Sequence, residues 1–212
     1  MSMIQTIATF FNSGGAFMWV ILIVMAISTA VVIERMFFYF ITCRFNAAKS
    51  VTTIAAALKD DKIDAARLAI GKGNAPVQVL LKVAVDRFAE HTSNEDIEEG
   101  IQEAAITQMP RMIARLNYLS LFSNIATLLG LLGTISGLQA SFGSLGGVEA
   151  SRKATMLAAG IAEAMNCTAF GLIVAVPCMV MYTVLYNKQQ QLTKALDESV
   201  IRLVNYMKKL RA

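Results

Sequence analysis

Three long apolar stretches divide the chain, and segments rich in charged and polar residues separate them. The apolar stretches lie within residues 15–43, 116–145 and 156–187. Each is long enough to cross a hydrocarbon core of about 30 Å, which takes about 20 residues of α-helix. The pattern therefore predicts an all-α integral membrane protein with three transmembrane helices and long helical extensions.

The segment between the first two spans, residues 44–115, carries apolar residues at helical spacing. We expect residues 45–58 to continue the first helix outward from the membrane. Residues 61–70 and 77–90 are expected to form two further amphipathic helices. The whole segment is therefore predicted to be a helical domain.

The remaining extensions are also predicted to be helical. A helix is expected to begin near Glu95, behind the N-cap candidates Ser93 and Asn94, and to continue into the second span. Pro110 lies within it and would kink or break it. The tail, residues 188–212, is expected to extend the third span, because it carries one apolar stripe formed by Leu192, Leu196, Val200, Leu203 and Met207.

Basic residues are distributed unevenly around the spans. None precedes Arg35, eleven lie from there to the second span, two follow the second span and six follow the third. The positive-inside rule then places residues 44–115 and 188–212 in the cytoplasm, and residues 1–14 and the loop 146–155 outside. Without a basic residue ahead of it, the first span is expected to be an uncleaved anchor.

Composition supports membrane insertion and gives the net charge an explanation. The chain is 56% hydrophobic and only 16% charged, which is too apolar for an ordinary soluble domain. Its net charge of +4 comes from basic residues that flank the spans, so topology explains it better than nucleic-acid binding does.

Glu163 is the one charged residue between Lys153 and Lys188, inside the third span. An acidic residue in the middle of a membrane helix costs roughly 2.5 to 3.5 kcal/mol on insertion scales, so such residues usually face a protein interior or a watery cavity. Two interpretations stay open here. Glu163 handles ions or protons, or it is a neutral acid that hydrogen-bonds across a helix interface.

Small residues and two threonines accompany this carboxyl group. Thr134 lies in the second span and Thr168 in the third, where it is about 140° around the helix from Glu163. The small residues let helix backbones approach closely in lipid, and we expect packing faces at Gly130, Gly133, Gly137, Gly160 and Gly171.

The sequence contains no recognisable catalytic or metal-binding constellation. The three cysteines, Cys43, Cys167 and Cys178, show no CxxC spacing and are expected to be reduced core residues. Neither a P-loop nor a nucleophile with its base is recognisable. We therefore expect no cofactor, no metal and no enzymatic activity.

Three motifs carry a family resemblance. Residues 128–142 read LLGLLGTISGLQASF, close to the pattern LGLxGTVxGxxxSF, and residues 160–177 read GIAEAMNCTAFGLIVAVP, close to GIAEALxxTAxGLxxAIP. Residues 32–38, VIERMFF, form an apolar boundary followed by Glu-Arg. Together these motifs resemble the MotA/TolQ/ExbB proton channel family, most closely its ExbB/TolQ branch. Asn166 and Cys167 stand where the family has small or apolar residues.

The resemblance implies a homopentamer in the bacterial inner membrane whose second and third spans line a central pore. The pore holds the single span of an ExbD- or TolR-like partner, whose own aspartate binds the proton. A TonB- or TolA-like protein is a further expected partner. Thr134, Glu163 and Thr168 correspond to the family's residues on the proton pathway.

The implied function is that of a channel-wall subunit, a stator or motor component, which couples proton flow to mechanical work on the cell envelope. Two alternatives stay open. One is a structural membrane scaffold with GxxxG packing and no proton role. The other is a gliding or flagellar-type motor subunit of the same family. A neighbouring gene for a short, single-span protein with a membrane aspartate would favour a motor over a scaffold.

Overall fold

The computed structural model describes residue 11 and residues 15–43, 45, 47–146 and 149–211. It is 90% helical, and its described part contains no strand, which confirms the predicted all-α class. The predicted N-terminal segment 1–14, apart from Phe11, lies outside the described residues. So do residues 147 and 148 of the predicted loop.

The described α-helices follow one another with short connections. They are α1 (Gly15–Phe37), α2 (Ala47–Lys59), α3 (Ile63–Ile70), α4 (Pro76–Ala89), α5 (Asn94–Ile113), α6 (Leu116–Gly143) and α7 (Ala150–Arg211). Three helical stretches are long and apolar enough to cross a membrane, in agreement with the three predicted spans. They are Gly15–Thr42, Asn94–Gly143 and Ser151–Arg211.

The chain forms two compact units. The first comprises the described residues up to Ile33 together with Arg115–Thr183, and the second comprises Glu34–Ala114 with Val184–Ala212. In the first unit, α1, α6 and the first part of α7 share one apolar core, and its most deeply buried members are Met18, Ile21, Ala126, Cys167 and Val174.

The second unit has its own core, built from α2 to α5 and the last part of α7. The predicted stripe of the tail faces this core: Leu196, Leu203 and Met207 are buried, and Leu192 and Val200 pack against them. Lys208 also pairs with Glu98 of α5 at 2.5 Å. The prediction that the tail extends the third span is confirmed, because α7 is one helix from Ala150 to Arg211.

Local residues account for several helix ends. Pro76 occupies the first turn of α4, where its missing N–H costs nothing. Ser93 caps α5: its hydroxyl accepts from the backbone N–H of Asp96 at 3.0 Å, and the Asp96 carboxylate accepts from the backbone N–H of Ser93 at 2.9 Å. Gly71, with φ +77°, ends α3 in a conformation that favours glycine.

The helix after the first span departs from the prediction. Residues 45–58 do not continue α1, which passes into a π-helical turn (Phe38–Thr42) and ends at Cys43. The chain becomes helical again only at Ala47. This wider turn carries Tyr39, whose side chain is buried and anchored by a hydrogen bond to Met112.

The predicted continuous helix from Glu95 into the second span is also corrected. The helix includes Pro110 but continues for about one more turn and ends at Ile113, with the N–H of Ala114 still bonded to the Pro110 carbonyl at 2.8 Å. Arg115 adopts φ +63° before α6 begins. The turn after Pro110 can stay helical because a proline removes only its own N–H donor and crowds the carbonyl group four residues before it, so the hydrogen bonds that follow it are unaffected.

Side chains from α1 and its π-helical turn satisfy the carbonyl groups freed by this break. The Arg35 guanidinium donates to the Arg111 carbonyl at 3.2 Å, and the Tyr39 hydroxyl donates to the Met112 carbonyl at 2.5 Å. The last carbonyls of a helix have no intrahelical donor. Residues distant in sequence therefore cap the end of α5.

Candidate functional site

The site is built where α6 crosses α7, and glycine makes that crossing close. A Cβ atom placed on Gly171 would lie 2.7 Å from the carbonyl oxygen of Ala126 and 3.1 Å from Cα of Gly130. A Cβ on Gly130 would in turn lie 3.2 Å from Cα of Thr168. The two backbones are therefore in direct contact, which only small residues permit.

The remaining glycines of the motifs extend this contact along both helices. Gly137 faces Ala164, whose Cβ would lie 3.2 Å from a Cβ on the glycine. Gly133 faces the side chain of Cys167. Gly160 leaves the space that the Ser141 side chain fills. All five glycines singled out in the sequence thus lie against the neighbouring helix.

Thr168 contributes a hydrogen bond across this crossing. Its hydroxyl donates to the carbonyl oxygen of Gly130 at 2.8 Å, and the side chain is partly buried. A hydroxyl group that donates one hydrogen bond keeps two lone pairs as acceptors. Thr168 therefore joins α7 to α6 and can still accept a hydrogen bond from another donor.

Thr134 of α6 hydrogen-bonds to the next carbonyl group along its own helix. Its hydroxyl donates to the carbonyl oxygen of Leu131 at 2.6 Å. The two threonine hydroxyls thus lie on successive carbonyl groups of α6, those of Gly130 and Leu131. Successive carbonyls of an α-helix are about 100° apart around its axis, so the hydroxyls are neighbours on adjoining faces.

Glu163 occupies a different place, beside the start of α1. Its side chain is exposed, and its Oε1 atom would lie 2.8 Å from a Cβ placed on Gly15. Among the described residues its carboxyl group makes no hydrogen bond or ion pair. The structure therefore places both threonine hydroxyls on carbonyl groups of α6, and the Glu163 carboxyl beside the start of α1.

Two features of the site were not predicted from the sequence. Ser123 of α6 donates to the Ala175 carbonyl of α7 at 2.8 Å, a second hydrogen bond between these helices. A serine inside the second apolar stretch was the available signal. Gly15 lies against Glu163, and its position at the start of the first apolar stretch was the available signal.

The described part of the chain contains no group of side chains arranged for metal binding or for redox chemistry. No group of three or more His, Cys, Asp or Glu side chains within it is placed to hold a metal ion. Cys43, Cys167 and Cys178 are buried free thiols. The chemistry that the site offers is hydrogen bonding and proton exchange by hydroxyl and carboxyl groups.

Residues 72–198 match the model of the MotA/TolQ/ExbB proton channel family. The chain is 33% identical over 139 residues to a putative biopolymer transport protein ExbB-like 1 from Synechocystis, covering 62% of this chain and 55% of the relative. It is 31% identical over 113 residues to the biopolymer transport protein ExbB of Salmonella typhimurium, covering 50% and 46%.

A third relative is the Tol-Pal system protein TolQ of Pseudomonas aeruginosa, 33% identical over 88 residues, covering 42% of this chain and 38% of the relative. The chain spans about half the length of the curated relatives it matches. The family match includes α6, most of α7 and therefore Thr134, Thr168 and the five glycines of the crossing between α6 and α7.

Proposed function

This chain belongs to the MotA/TolQ/ExbB proton channel family, and we propose that it is the channel-wall subunit of an inner-membrane complex driven by the proton motive force. One observation carries the proposal. Two hydroxyl groups lie on successive carbonyls of α6, and α7, which packs on it, bears in an otherwise apolar stretch the Glu163 carboxyl group, which bonds to no other described residue.

Thr134, Thr168 and Glu163 provide the polar groups of the proton pathway. The hydroxyls accept and donate hydrogen bonds without charge, so they can relay a proton through water or through a partner's acid. The Glu163 carboxyl can bind and release a proton. Moving one charge through the membrane potential releases about 2.3 kcal/mol per 100 mV, which is the energy that the complex would convert into work.

The proposed partners rest on the family and on the relatives named ExbB and TolQ. In this proposal the acid that carries the proton through the pore belongs to another chain, and the spans of this chain contain no aspartate. We propose an ExbD- or TolR-like protein with a single span, surrounded by several copies of this chain, as a pentamer. Large apolar side chains of α6 are exposed and available to neighbouring subunits and lipid: Leu128, Leu131, Leu132 and Ile135. A TonB- or TolA-like protein would receive the work.

The orientation in the membrane is part of the proposal. The second unit and the C-terminus lie in the cytoplasm, and the loop between α6 and α7 lies in the periplasm. Accessibility labelling of single cysteines in the loop and in the tail, from either side of the membrane, would test this orientation.

The first experiment is co-purification with the products of neighbouring genes and a count of subunits by native mass spectrometry. Proton flux is then measured in proteoliposomes for the wild type and for Glu163→Gln. We expect the variant to assemble and to lose most of its flux, because an amide cannot exchange the proton. Glu149→Gln, which removes an exposed carboxyl outside the apolar stretch, is the matched control.

Full retention of flux by Glu163→Gln would exclude protonation of this residue. It would leave Glu163 a neutral hydrogen-bonding role. A wild-type complex that assembles but conducts no protons would instead favour the scaffold alternative, which rests on the glycine-mediated crossing of α6 and α7. Retained assembly together with lost flux would support the channel-wall function.

A further inference from the structure

An amide side chain is exposed in the inner half of the second span. Asn124 of α6 makes no hydrogen bond with another described residue. It follows Arg115, the basic residue at the inner end of the predicted span, by about 14 Å at 1.5 Å per residue. That distance places it inside a hydrocarbon layer of about 30 Å, where lipid offers an amide no hydrogen-bonding partner.

The third span has the complementary feature, a carbonyl group without its usual donor. In an α-helix each carbonyl accepts from the N–H four residues ahead, and Pro177 of α7 has no N–H. The carbonyl of Ile173 therefore lacks its helical donor, and the Ile173 side chain is 60% exposed. In membrane helices, neighbouring helices or water satisfy a carbonyl that a proline has freed.

The donor and the acceptor lie at nearly the same depth. Ser123, the residue before Asn124, donates to the Ala175 carbonyl at 2.8 Å and so fixes the register of α6 against α7. Ile173 and Ala175 are only about 3 Å apart along the helix axis. The Asn124 amide and the Ile173 carbonyl therefore lie within about one helical turn of each other in depth.

Within one chain these two groups face away from each other. The Ala175 carbonyl is directed at α6, because Ser123 reaches it. The carbonyl of Ile173 is about 200° further around α7, so it is directed away from α6. Asn124 is turned about 100° from Ser123 around its own helix. A donor and an acceptor so placed can pair between two copies of the chain.

We propose that α6 of one copy packs beside α7 of the next copy, and that the Asn124 amide donates to the Ile173 carbonyl across this contact. The contact joins two different surfaces of the chain, so it is heterologous and builds a ring instead of a two-fold dimer. Exposed apolar side chains near the two groups supply the rest of the contact: Leu128, Val176 and Val180. A single polar residue in such a contact fixes register and subunit number, as asparagine does in coiled coils.

The inference rests on the proposed function only for the assembly of several copies, and it does not depend on proton transport. All of these residues belong to the first unit of the chain.

The pairing of the two surfaces is tested by cross-linking two differently tagged chains in the native membrane. One chain carries Asn124→Cys and the other Ile173→Cys, and the native thiols, which are buried, stay in place. We expect a short bifunctional thiol reagent to join both tags in one species and to leave wild-type chains unjoined.

The matched control replaces Ile173→Cys by Leu172→Cys, which is also exposed and lies about 100° away around α7 at nearly the same depth. A joined species that forms as readily with Leu172→Cys, or none with Ile173→Cys, would overturn the proposal.

The hydrogen bond is tested by a double-mutant cycle on subunit dissociation, measured by native mass spectrometry. We expect Asn124→Leu to increase dissociation about threefold per contact, the average effect of a hydrogen bond between membrane helices. Pro177→Ala returns an N–H donor to the Ile173 carbonyl, so Asn124→Leu should have a smaller effect in that background. An equal effect in both backgrounds would overturn the hydrogen bond.

Asn117→Leu is the control for this cycle, because Asn117 is an exposed amide two turns nearer the inner end of α6, where water can reach it. It should leave assembly unchanged. If Asn124→Leu leaves assembly unchanged or strengthens it, Asn124 faces lipid or pore water and the proposal is overturned. Failure of the proposed function has a different signature, because the wild-type complex then assembles and cross-links but conducts no protons.

Discussion

The hydroxyl group of Thr168 in α7 donates a hydrogen bond of 2.8 Å to the carbonyl oxygen of Gly130 in α6. The bond lies at the closest approach of the two helices, where a Cβ on Gly130 would be 3.2 Å from Cα of Thr168. Glycine brings the backbones together, and the hydroxyl can then reach the neighbouring helix. Packing and polar chemistry thus depend on the same pair of residues.

Replacing Thr168 by valine removes this bond while keeping the shape of the side chain. Hydrogen bonds between membrane helices contribute about 0.6 kcal/mol on average and about 1.7 kcal/mol at most. We expect Thr168→Val to lose stability within that range, measured by unfolding in denaturing detergent, and Thr168→Ser to remain close to the wild type. Equal stability of the valine and wild-type proteins would contradict a contribution from this bond.

A methyl group at position 171 should disrupt the same crossing more severely. The Cβ of Gly171→Ala would meet the Ala126 carbonyl at 2.7 Å, and backbone atoms cannot move aside as a flexible side chain can. Overpacking of this kind costs about 1 to 3 kcal/mol. We expect a lower unfolding midpoint and weaker oligomer formation, measured by native mass spectrometry.

The matched control for this variant is Gly143→Ala, at the end of the partner helix α6, where the added methyl group meets no atom within 4 Å. It should unfold at or slightly above the wild-type midpoint, because alanine favours helix over glycine by about 1 kcal/mol. An equal loss in both variants would mean that the effect is not one of helix crossing.

Features that depend on local spacing could be predicted from the sequence. The glycine faces, the Ser93 cap and the apolar stripe of the tail are all periodic or adjacent in sequence, and the structure places the stripe against the core of the second unit. The partner of the Thr168 hydroxyl could not be predicted. It depends on the register of α7 against α6, which the packing of glycine on glycine determines.

The break before α6 shows a different limit. Pro110 indicated a disturbed helix, but the chain keeps one more turn and breaks at Ala114 and Arg115. The hydrogen bonds that Tyr39 and Arg35 donate to the exposed carbonyls favour a break at this position. These contacts join residues more than seventy positions apart, and no local pattern reveals them.

The Tyr39 hydroxyl is therefore expected to stabilise the second unit. Tyr39 is 1% exposed. The substitution Tyr39→Phe removes the hydroxyl group and would leave the Met112 carbonyl without this donor. A buried polar group left unsatisfied costs about 1 to 3 kcal/mol. We expect a loss of that size in chemical unfolding, and faster amide exchange at the end of α5.

Tyr206→Phe provides the control, because the Tyr206 hydroxyl makes no hydrogen bond within the described residues and lies in the same unit. Its unfolding midpoint should match the wild type. If both variants are equally stable, the capping of α5 by Tyr39 contributes nothing measurable.

Acid should loosen the start of α5 through the Ser93 cap. Hydrogen bonds from the hydroxyl and the backbone N–H of Ser93 hold the pKa of Asp96 below its usual range. A depressed folded pKa means that the carboxylate stabilises the helix end above the unfolded pKa, roughly pH 4, and that this stabilisation is lost as pH falls through the folded pKa.

We expect amide exchange in the first turn of α5, corrected for intrinsic rates, to accelerate over that interval in the wild type. Asp96→Asn should already exchange faster at neutral pH and should change little on acidification. Asp64→Asn, whose carboxyl group is 97% exposed and lies outside the cap, should follow the wild type. A wild-type first turn whose protection is constant through the acid interval would show that the Asp96 charge does not hold the helix end.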